Sequence, residues 1–247
     1  MADKPILDVK DINQYYGGSH ILRGVSLQAH LGKVTVLLGR NGVGKTTLLK
    51  SLMGLVPIRS GQIVLDGQAI GKTTPYERAR AGIGFVPQGR EIFGRLTVHE
   101  NLLMGLATKK AGTPIPPALY ELFPVLKQML GRRGGDLSGG QRQRAWIAMA
   151  LAQESDILLL DEPTTFLDLS HQLEVLDLLS SLNQERGMTV VMVIHDLNMA
   201  ARFCDNFILV SEGKILAQGS PESVLNPKNL ATAFKILARV IQDPVSK

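Results

Sequence analysis

The chain has 247 residues, 45% apolar and 20% charged, the composition of a soluble globular protein long enough for one large α/β domain or two small ones. No apolar run approaches the roughly 18 to 20 residues that cross a bilayer, and "MADKPILDVK" lacks the apolar core of a secretion signal, so the chain is expected in the cytosol with any membrane contact made through a partner. The net charge of +5 is spread along the sequence, a weak argument for nucleic acid, and the lone Cys204 excludes a disulfide or a cysteine-built metal site within one chain and reads as a buried, inert thiol.

In chain order, "ILDVKDINQYYG" and "ILRGVSLQAH" read as strands. "KVTVLLGRNG" is apolar at successive positions, as expected of a strand covered on both faces, and "TTLLKSLMGL" after it has a helical pattern. "GQIVLDGQAI" reads as two short strands around a turn at Asp66 and Gly67, which predicts an antiparallel sheet beside a parallel one. Residues 97–130 are helical in pattern, interrupted by "GTPIPP" at 112–117, and form an expected helical insertion. Ser138 stands as an N-cap before a helix starting near Gln141. "DILLLDEP", the helical "SHQLEVLDLLSSLNQE" and the strand "MTVVMVIHD" complete an alternation that argues for an α/β sheet.

"GRNGVGKTT" at 39–47 matches the G-x-x-x-x-G-K-[ST] phosphate loop, with the apolar strand before it and the helical stretch after it that the motif requires. Gly39, Gly42 and Gly44 let backbone N–H groups wrap phosphates, Lys45 reaches the outer ones, and the Thr46 hydroxyl is a magnesium ligand in such loops. The alternative, a plain glycine-rich turn, does not explain this context. Asp161 and Glu162 follow a buried strand, at the sheet edge where ligands of open α/β sheets gather. Asp161 is the expected magnesium partner and Glu162 the group placed to polarise a water; simple helix capping is the alternative. His195 ends the third strand and is expected at the same rim as a γ-phosphate contact, against a merely structural histidine.

"DLSGGQRQRAW" at 136–146 has too little chemistry for an active site of its own, yet its glycines and helix start can donate hydrogen bonds to an anion. With "LSGGQ" set beside the phosphate loop, "ILLLDE" and His195, the chain resembles the ATP-binding subunit of ABC transporters over nearly its whole length. The resemblance implies an α/β fold with a P-loop NTPase core, an N-terminal antiparallel β-subdomain and a helical insertion. It implies one domain over 1–247, with the nucleotide-binding core at 1–88 and 157–230, the helical subdomain at 89–156 and a tail at 231–247. It also implies ATP hydrolysis with Mg2+, two ATP sandwiched head-to-tail in a homodimer or paired ABC subunit, and membrane permease subunits as partners at the inner face of the cell membrane.

The same resemblance assigns residues. Ser138, Gly139, Gly140 and Gln141 would close in trans over ATP held by the phosphate loop of a second copy, where Asn41 and Thr47 complete the motif. Tyr16 looks like the aromatic that stacks on adenine, with Tyr15 or a core tyrosine as alternatives. Gln88 resembles the glutamine that touches magnesium and joins the site to the helical insertion, and Asp168 the aspartate that lines the dimer seam. Arg40 stands where many relatives have proline.

The two halves resemble different branches. Segments up to "VPQGREIFGRLTVHENLLMG" look like importers of urea and branched-chain amino acids, and those after Ser138 like ferric-siderophore importers, with a seam near "GGDLSGGQ". That pattern raises a recombined or designed chain, binding nucleotide with little turnover or transport, against a natural relative with mixed features. A soluble ABC ATPase without a membrane partner is the remaining alternative. The leading reading is an ATPase that drives an importer.

Overall fold

The computed structural model describes residues 5–89, 92–165 and 167–241. The chain opens with a long antiparallel hairpin, β1 (Pro5–Tyr16) and β2 (Ser19–His30), and then enters a second sheet with β3 (Val34–Leu38) and α1 (Lys45–Met53). It returns to the first sheet for β4 (Ser60–Leu65) and β5 (Gln68–Ala69), whose connecting residues Asp66 and Gly67 both have positive φ, 42° and 80°, the geometry of the tight primed turn expected from the sequence. After α2 (Pro75–Arg80) and β6 (Ile83–Val86) come the helices α3 (Val98–Gly105), α4 (Ala118–Leu122), α5 (Pro124–Gln128) and α6 (Gly139–Ala152). The α/β alternation resumes with β7 (Ile157–Asp161), α7 (Leu169–Arg186), β8 (Thr189–Val193), α8 (Leu197–Phe203), β9 (Asn206–Ser211) and β10 (Lys214–Gly219). Two short helices, α9 (Pro221–Val224) and α10 (Pro227–Phe234), follow. The end of the expected tail, residues 242–247, lies outside the described residues.

The smaller sheet runs β2-β1-β4-β5, antiparallel throughout. The larger runs β10-β9-β3-β8-β7-β6, parallel except for β10. Its central strands are buried at every position because they face two cores. Val36, Leu38, Leu158, Leu160, Val190 and Met192 point toward α6, α7 and α8, while the alternate residues Leu37, Leu159, Val191 and Val193 point toward α1 and the antiparallel sheet. The strand period of two therefore distributes an unbroken apolar run between two layers.

The region expected as one helical stretch is divided by its own chemistry. Thr97 begins α3 with a capping box closed by Glu100. That helix already stops at Gly105, nine residues before the first proline of "GTPIPP", whose prolines keep 114–117 out of helix, and Pro124 splits the remainder into the short α4 and α5. At Gly105, α3 crosses α6 so closely that a methyl group there would lie 2.4 Å from the Met149 carbonyl oxygen.

One buried charge fixes the end of α1. Arg78, 3% exposed, donates from Nη1 to the carbonyls of Ser51 (2.7 Å) and Leu52 (2.8 Å), from Nη2 to that of Gly71 (3.2 Å), and from Nε to the Thr73 hydroxyl (3.2 Å). A guanidinium here satisfies orphan carbonyls and lies at the negative end of the helix dipole.

Candidate active site

The phosphate loop joins β3 to α1. Gly39 has φ +149°, and a Cβ on it would stand 2.3 Å from the Val210 carbonyl oxygen, so the loop can pass β9 only without a side chain at this position. Gly44 caps α1 with no side-chain hydrogen bond, which leaves the helix's first N–H groups for an anion. Asn41 and Gly42 are exposed at the tip, and Thr47 is buried in the first turn. Lys45 is 5% exposed and folds back to donate from Nζ to the carbonyls of Gly39 (2.8 Å) and Arg40 (2.9 Å). Burial lowers its pKa, and the negative charges of Glu162 and Asp161 oppose the shift.

At the carboxyl end of β7, Asp161 is 1% exposed and its Oδ1 accepts a 3.1 Å hydrogen bond from the Thr46 hydroxyl. Its Oδ2 is buried with no hydrogen-bond partner among the described residues. Burial raises the pKa of this carboxyl. A hydroxyl and a carboxylate with a free buried oxygen form a hard-oxygen donor set, and they fit a magnesium ion that takes its remaining ligands from water and phosphate.

Glu162 sits in the left-handed region at φ 54°, an uncommon conformation for a residue with a side chain. Three residues hold its carboxylate. Oε2 accepts from Gln88 Nε2 at 2.7 Å and from the Thr165 hydroxyl at 3.0 Å, and Oε1 lies 2.6 Å from His195 Nε2. Gln88 follows β6, Glu162 follows β7 and His195 follows β8, so neighbouring parallel strands deliver all three to one rim. A cleft of about 420 Å³ runs from Thr46 and Asp161 along Lys50, Phe85, Gln88 and Trp146.

The tyrosines divide as the sequence reading left open. Tyr15 stacks on His20, with ring centroids 4.1 Å apart, and faces Arg59 on its other side at 5.0 Å. Tyr16 is 49% exposed at the end of β1.

Ser138 does cap its helix, which begins at Gly139, two residues ahead of the expected start. Its hydroxyl accepts from the Gln141 N–H (3.3 Å) while Gln141 Oε1 accepts from the Ser138 N–H (2.9 Å). Asp168 likewise caps α7, accepting from the His171 N–H at 3.0 Å. Gly140 lies buried beneath the His171 ring. Sequence reasoning missed Thr165 and His171. Thr165 carried a signal, a hydroxyl three residues after Glu162 in a strand-end turn; His171 carried none, because its contact with Gly140 joins residues 31 apart.

Fold and site together define a phosphate-loop ATPase, with a phosphate cradle, a cation-type donor pair and a carboxylate braced by three neighbours. Residues 22–165 match the ABC transporter family, and on that match the chain belongs to it. The probable siderophore transport system ATP-binding protein of Bacillus subtilis is 41% identical over 93% of this chain and 86% of its own. Among solved structures, an ATP-binding cassette of an ABC transporter superposes with a TM-score of 0.83 at 26% identity over 93% of this chain and 98% of its own. A dimeric post-hydrolysis state of an ATP-binding cassette bound to ADP and Pi gives 0.77 at 28% identity over 87% and 98%.

Proposed function

We propose that this chain is the ATP-hydrolysing subunit of an importer that works as a head-to-tail dimer on membrane permease subunits, with a ferric siderophore as the class of cargo. The observation that carries the hydrolytic part is the convergence on Glu162 of Gln88, Thr165 and His195, next to the Thr46–Asp161 pair. The cargo class rests on the likeness to the siderophore transport protein.

In this reading the backbone around Gly39, Asn41, Gly42 and Gly44, with Lys45 and Thr47, holds the triphosphate, and Tyr16 stacks on adenine because Tyr15 is already engaged on both faces. Thr46, Asp161 and Gln88 would hold magnesium, which when bound would offset phosphate charge. Glu162 takes a proton from the attacking water, and His195 contacts the γ-phosphate. Ser138, Gly139, Gly140 and Gln141 close over the nucleotide of the second copy, and Asp168 lines the seam. The core at 1–88 and 157–230 and the helical subdomain at 89–156 are the bodies that move against each other.

The test is ATPase rate against protein concentration. A specific rate that rises with concentration is expected of shared sites, and a flat one would overturn the dimer. Reconstitution with siderophore-type and urea-type membrane subunits tests the cargo, with stimulation expected from the former alone. The siderophore-type relatives cover 93% to 97% of this chain, through residues 134–141, and give no support to a join of two different halves there.

A further inference from the structure

The two segments assigned to the dimer seam belong to different helices, α6 and α7, yet one side chain touches both. An ionised carboxylate can only accept hydrogen bonds. The contacts of His171 Nδ1 with the two Asp168 oxygens, at 2.7 and 2.9 Å, therefore require the proton on Nδ1. The same carboxylate accepts the His171 N–H at 3.0 Å and the Ser170 hydroxyl at 2.9 Å, so the ring is pinned to the cap. The opposite edge of the ring covers Gly140. A methyl on that glycine would lie 2.7 Å from Cδ2 and 3.4 Å from Nε2. One turn further along both helices, Arg144 of α6 is paired with Glu174 of α7.

We propose that His171 is a positioning residue that locks the Asp168 turn to the Ser138–Gly140 turn within one chain, so that both parts of the seam present themselves as one rigid face. What the lock serves rests on the shared-site reading above; the lock itself is a property of the single chain. A face of fixed shape loses less conformational freedom when a second copy closes on it. Two independently mobile loops would have to be ordered separately.

The test is amide hydrogen exchange of the full chain, with the ATPase assay beside it. His171→Ala is expected to speed exchange about fivefold or more over both 138–142 and 168–172, because local opening is no longer shared. The backbone cap from Asp168 survives in every variant, and His171 is 39% exposed at the side chain, so the fold is retained. His171→Asn keeps a donor for Asp168 but has no ring edge, and should restore protection at 168–172 only. His171→Phe keeps the ring and no donor, and should restore 138–142 only. In the ATPase assay, His171→Ala should raise the protein concentration for half-maximal specific rate about fivefold while the plateau rate falls less than about twofold.

Exchange in His171→Ala that changes at 168–172 alone overturns the lock, and so does His171→Asn restoring both segments. A wild-type rate independent of concentration would remove the shared-site reading while the exchange result still decides the lock.

Discussion

Glu162 Oε1 and His195 Nε2 meet at 2.6 Å across the ends of β7 and β8, while the other carboxylate oxygen is held by Gln88 and Thr165. The carboxylate's direction is thus set by groups from three elements rather than by its own backbone, which stands at φ 54°.

Glu162→Gln keeps the shape and removes the proton acceptor. ATP binding should persist and turnover should fall about 100- to 10,000-fold, the usual cost of losing a general base. Steady-state hydrolysis alongside nucleotide-binding titration checks both halves, and unchanged turnover would place the base elsewhere.

Arg78→Ala strips the hydrogen bonds from the carbonyls of Ser51, Leu52 and Gly71 in a buried site. Leaving such acceptors unpaired should cost about 3 kcal/mol of stability, read as a lower urea midpoint. Arg78→Lys should recover part of this only, since one ammonium cannot span the acceptors that a guanidinium fork reaches.

Asp168 is held from its ordinary value of 3.8 down to about 2, first by the His171 N–H, then by the His171 ring and the Ser170 hydroxyl. A carboxyl lowered in the folded state favours folding above its unfolded value, and that contribution is lost as pH falls through the interval from about 4 to 2. Wild type should therefore melt above Asp168→Ala at pH 6, and the gap should narrow as pH is taken toward 2.5. Melting curves at stepped pH measure it, and a gap that stays constant or widens on acidification would contradict the assignment.

Cys204 is half-buried, and burial, followed by the charges of Asp205 and Glu222, pushes its thiol far above the usual range. The thiolate is the reactive form. At pH 8 the folded protein should react with a maleimide about 100-fold or more slowly than a free thiol, and unfolding in denaturant should remove the difference.

Much of the molecule was legible locally. The phosphate loop between a strand and a helix, the Asp66-Gly67 turn and the Ser138 cap are all specified by neighbours within a few residues, where backbone geometry and hydrogen bonding act directly. The strand β6 escaped the sequence reading because four residues, "IGFV", between Gly82 and Pro87 carry too short a period to be distinguished.

What sequence alone determined is therefore the inventory of chemical groups and the element on which each is mounted. Tertiary structure decided which groups meet. The order β6-β7-β8 brings Gln88, Glu162 and His195 together across gaps of 74 and 33 residues, and the packing of Tyr15 between His20 and Arg59 leaves Tyr16 exposed. The burial of Arg78 and the contact of His171 with Gly140 arise in the same way. The physical reason is range: propensity and capping act over a turn or two of chain, whereas strand order and side-chain packing are set by burying two faces of one sheet at once.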